Sequence, residues 1–163
     1  MFERRGAGLV LAVVLVGCGS SVASAAPSDI QNQADLYAIE QIEVHWHQAA
    51  STKNLDEMMA LWADNATFTI GTQTYTGRDQ IRTFFATKAA PFKAGNDWVS
   101  ETPAYKLKAS VNGDKGTLYF ECHYVDVHTK LVVNVVGANQ EVARIGGQWL
   151  ITNSVSASPE LTP

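Results

Sequence analysis

The chain has 163 residues, 46% of them hydrophobic, with 12 Lys+Arg against 16 Asp+Glu and a formal net charge of −4. That length suits one domain with one core, and a mildly acidic chain with no basic run excludes nucleic acid as an expected partner. Cys18 and Cys122 are the two cysteines, and with Cys18 in a leader segment no disulfide is expected to hold the fold.

Met1-Phe2-Glu3-Arg4-Arg5 is a short basic start, followed by an apolar run from Gly6 to Gly17 that is too short to span a bilayer. The run ends in Leu15-Val16-Gly17-Cys18, which resembles a bacterial lipobox and implies lipidation of Cys18 and attachment to a membrane. Ala23-Ser24-Ala25 offers an alternative, ordinary signal cleavage after Ala25 with secretion or periplasmic release. Either route exports the protein. Residues 19–28, rich in Ser and Ala, read as a flexible tether, and 159–163 as a tail.

Residues 29–52 carry a helical period. At roughly 100° per residue, Ala38, Ile39, Ile42, Trp46, Ala49 and Ala50 fall on one side. Ser51 to Asn54 break the helix, and Asn54 with Glu57 three residues on forms a capping box for a second helix. Leu55, Met58, Met59 and Trp62 are its apolar stripe. A strand is expected at 66–70, a short one at 73–75, and a third helix over 79–87. The remainder is β: runs at 98–111 and 116–127 flank the Asn112-Gly113-Asp114-Lys115 turn, and 131–145 and 148–156 follow. Three helices, then successive antiparallel strands, predict an α+β domain with the helices packed on one strongly curved sheet.

Leu55-Asp56-Glu57-Met58-Met59-Ala60-Leu61-Trp62-Ala63-Asp64-Asn65-Ala66 running into a strand, followed by Thr76-Gly77-Arg78-Asp79-Gln80-Ile81, resembles the nuclear transport factor 2-like superfamily and its SnoaL-like group, polyketide cyclase-related proteins. The resemblance covers 29–158 and implies a cone-shaped, cystatin-like roll around one apolar pocket. It also implies residues that this chain lacks. The catalytic Tyr and Asp of ketosteroid isomerases would fall at Trp46 and Ile70. The Tyr-Asp pair of scytalone-dehydratase-like enzymes would fall at Ala50-Ser51. Of the Asp-Arg-Asp set of limonene epoxide hydrolases, Asp126 and Arg144 are present but no second buried Asp is evident.

On the long strand, Leu118, Phe120, Cys122, Tyr124 and Asp126 alternate onto one face, taken as pocket-facing. Tyr119, Glu121, His123 and Val125 take the other, assigned to solvent or to a homodimer formed through the sheet. Cys122 is expected to be a core thiol. Trp46, Phe68, Phe84, Phe85, Phe120 and Tyr124 are the expected walls of a cavity for a small apolar ligand. His45 and Asp126 are the candidate acid–base pair, although an Asp before Val127-His128-Thr129-Lys130 also suits a turn cap. No metal spacing, phosphate loop or nucleophile elbow occurs, so no metal or cofactor is expected. Three functions stay open: a ligand-binding protein, a cofactor-free lyase, isomerase or cyclase, and a protein-assembly module.

Overall fold

A computed structural model describes residues 27–159. The expectations on Cys18, on cleavage after Ala25 and on most of the tether lie outside the described residues. Helix α1 (Pro27–Thr52) begins two residues inside the stretch read as tether and buries Ile39, Ile42, Trp46, Ala49 and Ala50 along one side. It stops where Lys53 enters the left-handed region at φ 59° and the Asn54 N–H closes on the Ala49 carbonyl at 2.9 Å.

Asn54 then caps α2 (Leu55–Ala60), its Oδ1 accepting the Glu57 N–H at 3.1 Å. The expected capping box is only half formed. The Asn54 N–H is already taken by Ala49, and the Glu57 carboxylate turns to the His45 ring at 3.4 Å. Strand β1 (Trp62–Ile70) starts four residues earlier than expected, so Trp62 opens a strand instead of closing a helical stripe. After β2 (Gln73–Thr76), Gly77 at φ 83° turns the chain into α3 (Arg78–Thr87).

The run expected at 98–111 is two strands, β3 (Trp98–Glu101) and β4 (Lys108–Asn112). Pro103 has no N–H to continue a ladder, and its carbonyl receives the Lys106 N–H at 2.8 Å in a 3-10 turn, Ala104–Lys106. Both strands pair antiparallel with β5 (Lys115–Asp126), which hairpins into β6 (Val132–Ile145) and then β7 (Gln148–Ala157).

The sheet order is β2-β1-β7-β6-β5-β3, with β4 also on β5. One pair departs from the all-antiparallel expectation. β1 runs parallel to β7, with Phe68 opposite Ser154 and Thr69 opposite Val155, so the sheet is mixed. Register shifts at Trp62/Thr67, Tyr124/Val125 and Glu141/Val142 mark where it bends.

Helix α1 lies against β3, β4, β5 and β7. One end is pinned by Asp35, which accepts from Arg144 Nη2 at 2.5 Å, Gln31 Nε2 at 3.0 Å and Trp149 Nε1 at 3.4 Å. The Arg144 guanidinium, chiefly by this hydrogen bond, holds the Asp35 carboxyl below the usual carboxylate range.

Close approach of α1 to the sheet requires a glycine. A Cβ on Gly116 would stand 2.5 Å from the Ser110 carbonyl oxygen and 2.8 Å from Ile39 Cδ1. Gly116→Ala is therefore expected to cost about 1–3 kcal/mol through overpacking, read from urea denaturation midpoints. An unchanged midpoint would show that the helix sits farther from the hairpin than this.

Candidate functional site

Between α1, α3 and the bent ends of β1, β5 and β6 lies a half-enclosed cavity of about 250 Å³. Its walls are mostly aromatic. Phe68 stacks on Phe85 at 5.8 Å, Phe84 meets Phe68 edge-on at 5.0 Å, and Phe92 closes on Phe85 at 5.5 Å. Trp46 reaches in from α1, edge-on to Phe85 at 5.5 Å, and Ile70, Pro91, Val136 and Ala138 complete the apolar lining. The side chains arrive together for local reasons. Phe84 and Phe85 are the buried face of α3, Phe68 is an inward residue of β1, and Cys122 and Tyr124 alternate inward on β5.

Among the polar groups at this wall are the Trp46 indole, the Cys122 thiol and the Tyr124 phenol, none of these three a charged group. The Tyr124 phenol is pushed well above its ordinary value by burial, and burial also pushes the Cys122 thiol up, to about 12. Both stay protonated at neutral pH. The buried Trp46 indole N–H faces this thiol and phenol but forms no hydrogen bond of good geometry with either.

Behind this wall runs a polar chain. His47 of α1 is buried, with Nδ1 2.6 Å from Ser100 Oγ and Nε2 2.5 Å from Thr102 Oγ1 and 3.1 Å from Glu43 Oε1. The Thr102 hydroxyl donates its own proton to the Glu121 carbonyl at 2.8 Å, so it accepts from His47. That places the imidazole proton on Nε2 and leaves Nδ1 to accept from Ser100 when the ring is neutral. Ser100 in turn lies against Tyr124 and Cys122. Ser51 Oγ accepts the Ser100 N–H at 2.8 Å, fixing this end of β3 against α1.

The expected acid–base pair is not assembled. His45 lies on the outer face of α1, its side chain 51% exposed, beside Glu57 and a separate surface groove. Asp126 serves the turn. Its Oδ1 accepts from the N–H of His128 at 3.0 Å and from the N–H and hydroxyl of Thr129 at 2.7 and 3.0 Å. These bonds, led by the Thr129 N–H, hold its carboxyl below the usual range. It does not line the cavity.

Five of the six expected wall residues do line it: Trp46, Phe68, Phe84, Phe85 and Tyr124. Phe120 does not. It is fully buried behind Trp46 and His47, at 5.6 and 5.5 Å, as a floor beneath the wall. Cys122 is both core thiol and cavity lining.

The face assigned to solvent or a dimer is covered. Glu121 is fully buried, with Tyr119 Oη donating to it at 2.7 Å and with His123 Nε2 3.4 Å and Lys106 Nζ 3.7 Å from its carboxylate oxygens. The turn after Pro103 brings Lys106 onto this face. A second buried Asp also exists, Asp35, and Arg144 sits between it and Asp114, at 2.5 and 3.0 Å. That triad lies away from the cavity. Among the described residues, no group of three His, Cys, Asp or Glu side chains is arranged to hold a metal ion.

A SnoaL-like domain model matches residues 31–155. The chain belongs to the SnoaL-like family. Among solved structures, an NTF2-like protein with a cystatin-like fold from Novosphingobium aromaticivorans superposes with a TM-score of 0.69 at 13% identity, covering 83% of this chain and 88% of its own. An NTF2-like protein of unknown function from Pseudomonas putida gives 0.65 at 18%, covering 80% and 98%. A candidate dehydratase of the NTF2-like family from Streptomyces avermitilis gives 0.62 at 18%, covering 80% and 99%. No curated protein matches significantly. At these identities the likeness establishes the cone of this SnoaL-like domain and no reaction.

Proposed function

We propose that this SnoaL-like domain binds a small, mostly apolar molecule in the cavity behind Trp46. The observation that carries the proposal is a half-enclosed cavity of about 250 Å³ whose wall is built mostly of aromatic rings and aliphatic side chains. Apolar cavities of about 150 Å³ take up benzene, so about 250 Å³ suits one ring with a short substituent. A ligand oxygen would accept from the Tyr124 phenol, which lines the cavity. The lipobox-like Leu15-Val16-Gly17-Cys18 supports an exported, membrane-anchored setting for this binding.

Acetophenone is a suitable probe because it joins one ring to one carbonyl acceptor. It is expected to bind more tightly than ethylbenzene and to shift the NMR signals of Phe85, Cys122 and Tyr124. Tyr124→Phe should narrow the difference by roughly three- to tenfold, the worth of one hydrogen bond. The absence of shifts at these three residues with either ligand would overturn the proposal.

A second reading, an acid–base site, is favoured by the Glu43–His47–Ser100 chain reaching Tyr124. In it, Tyr124, the member of that chain that lines the cavity, takes a proton from the carbon next to a bound carbonyl while its own passes through Ser100 Oγ to His47 Nδ1. Acetophenone in D2O should then exchange its methyl protons faster with the protein than in buffer, and His47→Gln should remove the acceleration. No acceleration refutes this reading and leaves the binding role standing.

The location has its own check. Mass spectrometry of membrane-extracted protein should show a diacylated N-terminus that Cys18→Ser abolishes, whereas an unmodified chain starting at Ala26 would contradict it.

A further inference from the structure

The cavity's charge is one-sided. Of its seventeen lining residues none is Asp or Glu, and the one charged side chain is Lys88. In a chain with more acids than bases, the three arginines among the described residues are all ion-paired. Arg78 pairs with Asp64, Arg82 with Asp56, and Arg144 with Asp35 and Asp114. Lys88 instead meets neutral groups. Its Nζ lies 2.9 Å from Tyr75 Oη and 3.5 Å from Gln73 Oε1, and 5.3 Å above the Tyr75 ring.

Those contacts hold the ammonium at the rim without neutralising it. An ammonium has three donors, and the two neutral acceptors leave one for a guest. The Tyr75 ring is itself fixed by stacking on Phe68 at 6.2 Å and by Phe84 at 5.0 Å, so the lysine is positioned by the same aromatic cluster that walls the cavity. The backbone places it there too. Lys88 is the residue at which α3 ends, its N–H bonded to the Phe84 carbonyl at 2.8 Å. Exposed Asn134 stands with Lys88 among the lining residues and can add an amide donor.

From this geometry we infer that the ligand is an apolar carboxylic acid, bound as the carboxylate at Lys88 with its ring or chain in the aromatic cavity. The inference rests on the binding role proposed above and names the ligand class for that same cavity. The carboxylate belongs at the rim. There the ion keeps part of its water while gaining a charge-assisted hydrogen bond, whereas in the apolar depth its desolvation would be uncompensated.

Phenylacetate and phenylacetamide test this, since they share ring and length and differ in charge. Binding to the full chain is measured by calorimetry at low salt, with chemical shifts at Phe85 and Tyr124 to locate each ligand. Phenylacetate is expected to bind roughly three- to tenfold more tightly than the amide, the range for one partly exposed charge-assisted contact. Lys88→Met should remove that preference, Lys88→Arg should keep it, and 0.5 M NaCl should shrink it by screening, as about 4 Å of Debye length remains. Equal binding of acid and amide, or a preference that survives Lys88→Met, overturns the carboxylate assignment while leaving the cavity's binding role intact. Binding of neither ligand at Phe85 and Tyr124 counts against both.

Discussion

The structure depends on the seating of α1 across a bent sheet, with Trp46 at the crossing. On one side the helix comes close enough to need Gly116 bare of a side chain. On the other, the Trp46 ring holds it off, wedged between Trp62, Phe85 and Phe120 at 5.8, 5.5 and 5.6 Å. A helix pinned tightly at one end and propped by an indole at the other leaves a wedge of space. The cavity is that wedge, and α3 with its Phe84-Phe85 pair closes its side.

Polar groups are sorted by the same geometry. At the tight end, Asp35 and Arg144 tie helix to sheet. Along the flank, His47 ties α1 to Ser100 and Thr102 of the edge strand region, and Ser51 holds the Ser100 backbone. On the outer face, Glu121 is enclosed with Tyr119, His123 and Lys106. Buried carboxylates are tolerable only with such partners. All of these carboxylates lie outside the cavity, which is why its wall offers donors and one cation but no acid.

What was legible in the sequence is what local periodicity carries. The apolar side of α1, the Asn54 cap, the Gly77 turn and the inward alternation of Cys122 and Tyr124 follow from rules that span a few residues, and they yield five of the six wall side chains. What was not legible depends on cover supplied from far along the chain. His45 and His47 flank Trp46 alike on the helix, and only the arrival of β3 buries one and leaves the other in water. Glu121 and His123 alternate like a solvent face until the turn after Pro103 folds Lys106 over them. The parallel pairing of β1 with β7 joins residues more than eighty positions apart, and no hydrophobic pattern records strand direction. Asp126 is the instructive case. Its alternation places it on the inward face, yet two backbone N–H groups and a hydroxyl two and three residues on claim its carboxylate first.

The register that relates this chain to catalytic members of the superfamily gains meaning from the cavity. Both positions where ketosteroid isomerases would carry their Tyr and Asp, Trp46 and Ile70, do lie on the cavity wall. On the register that the resemblance implies, these two positions hold an indole and a hydrocarbon, and neither can ionise. An indole donates but cannot ionise, and Tyr124 and Cys122 are held protonated by burial. The apolar depth of the cavity thus opposes any unpaired charge placed in it. For the carboxylate ligand we infer, the negative charge is stabilised at Lys88, at the rim, and the apolar end lies inward.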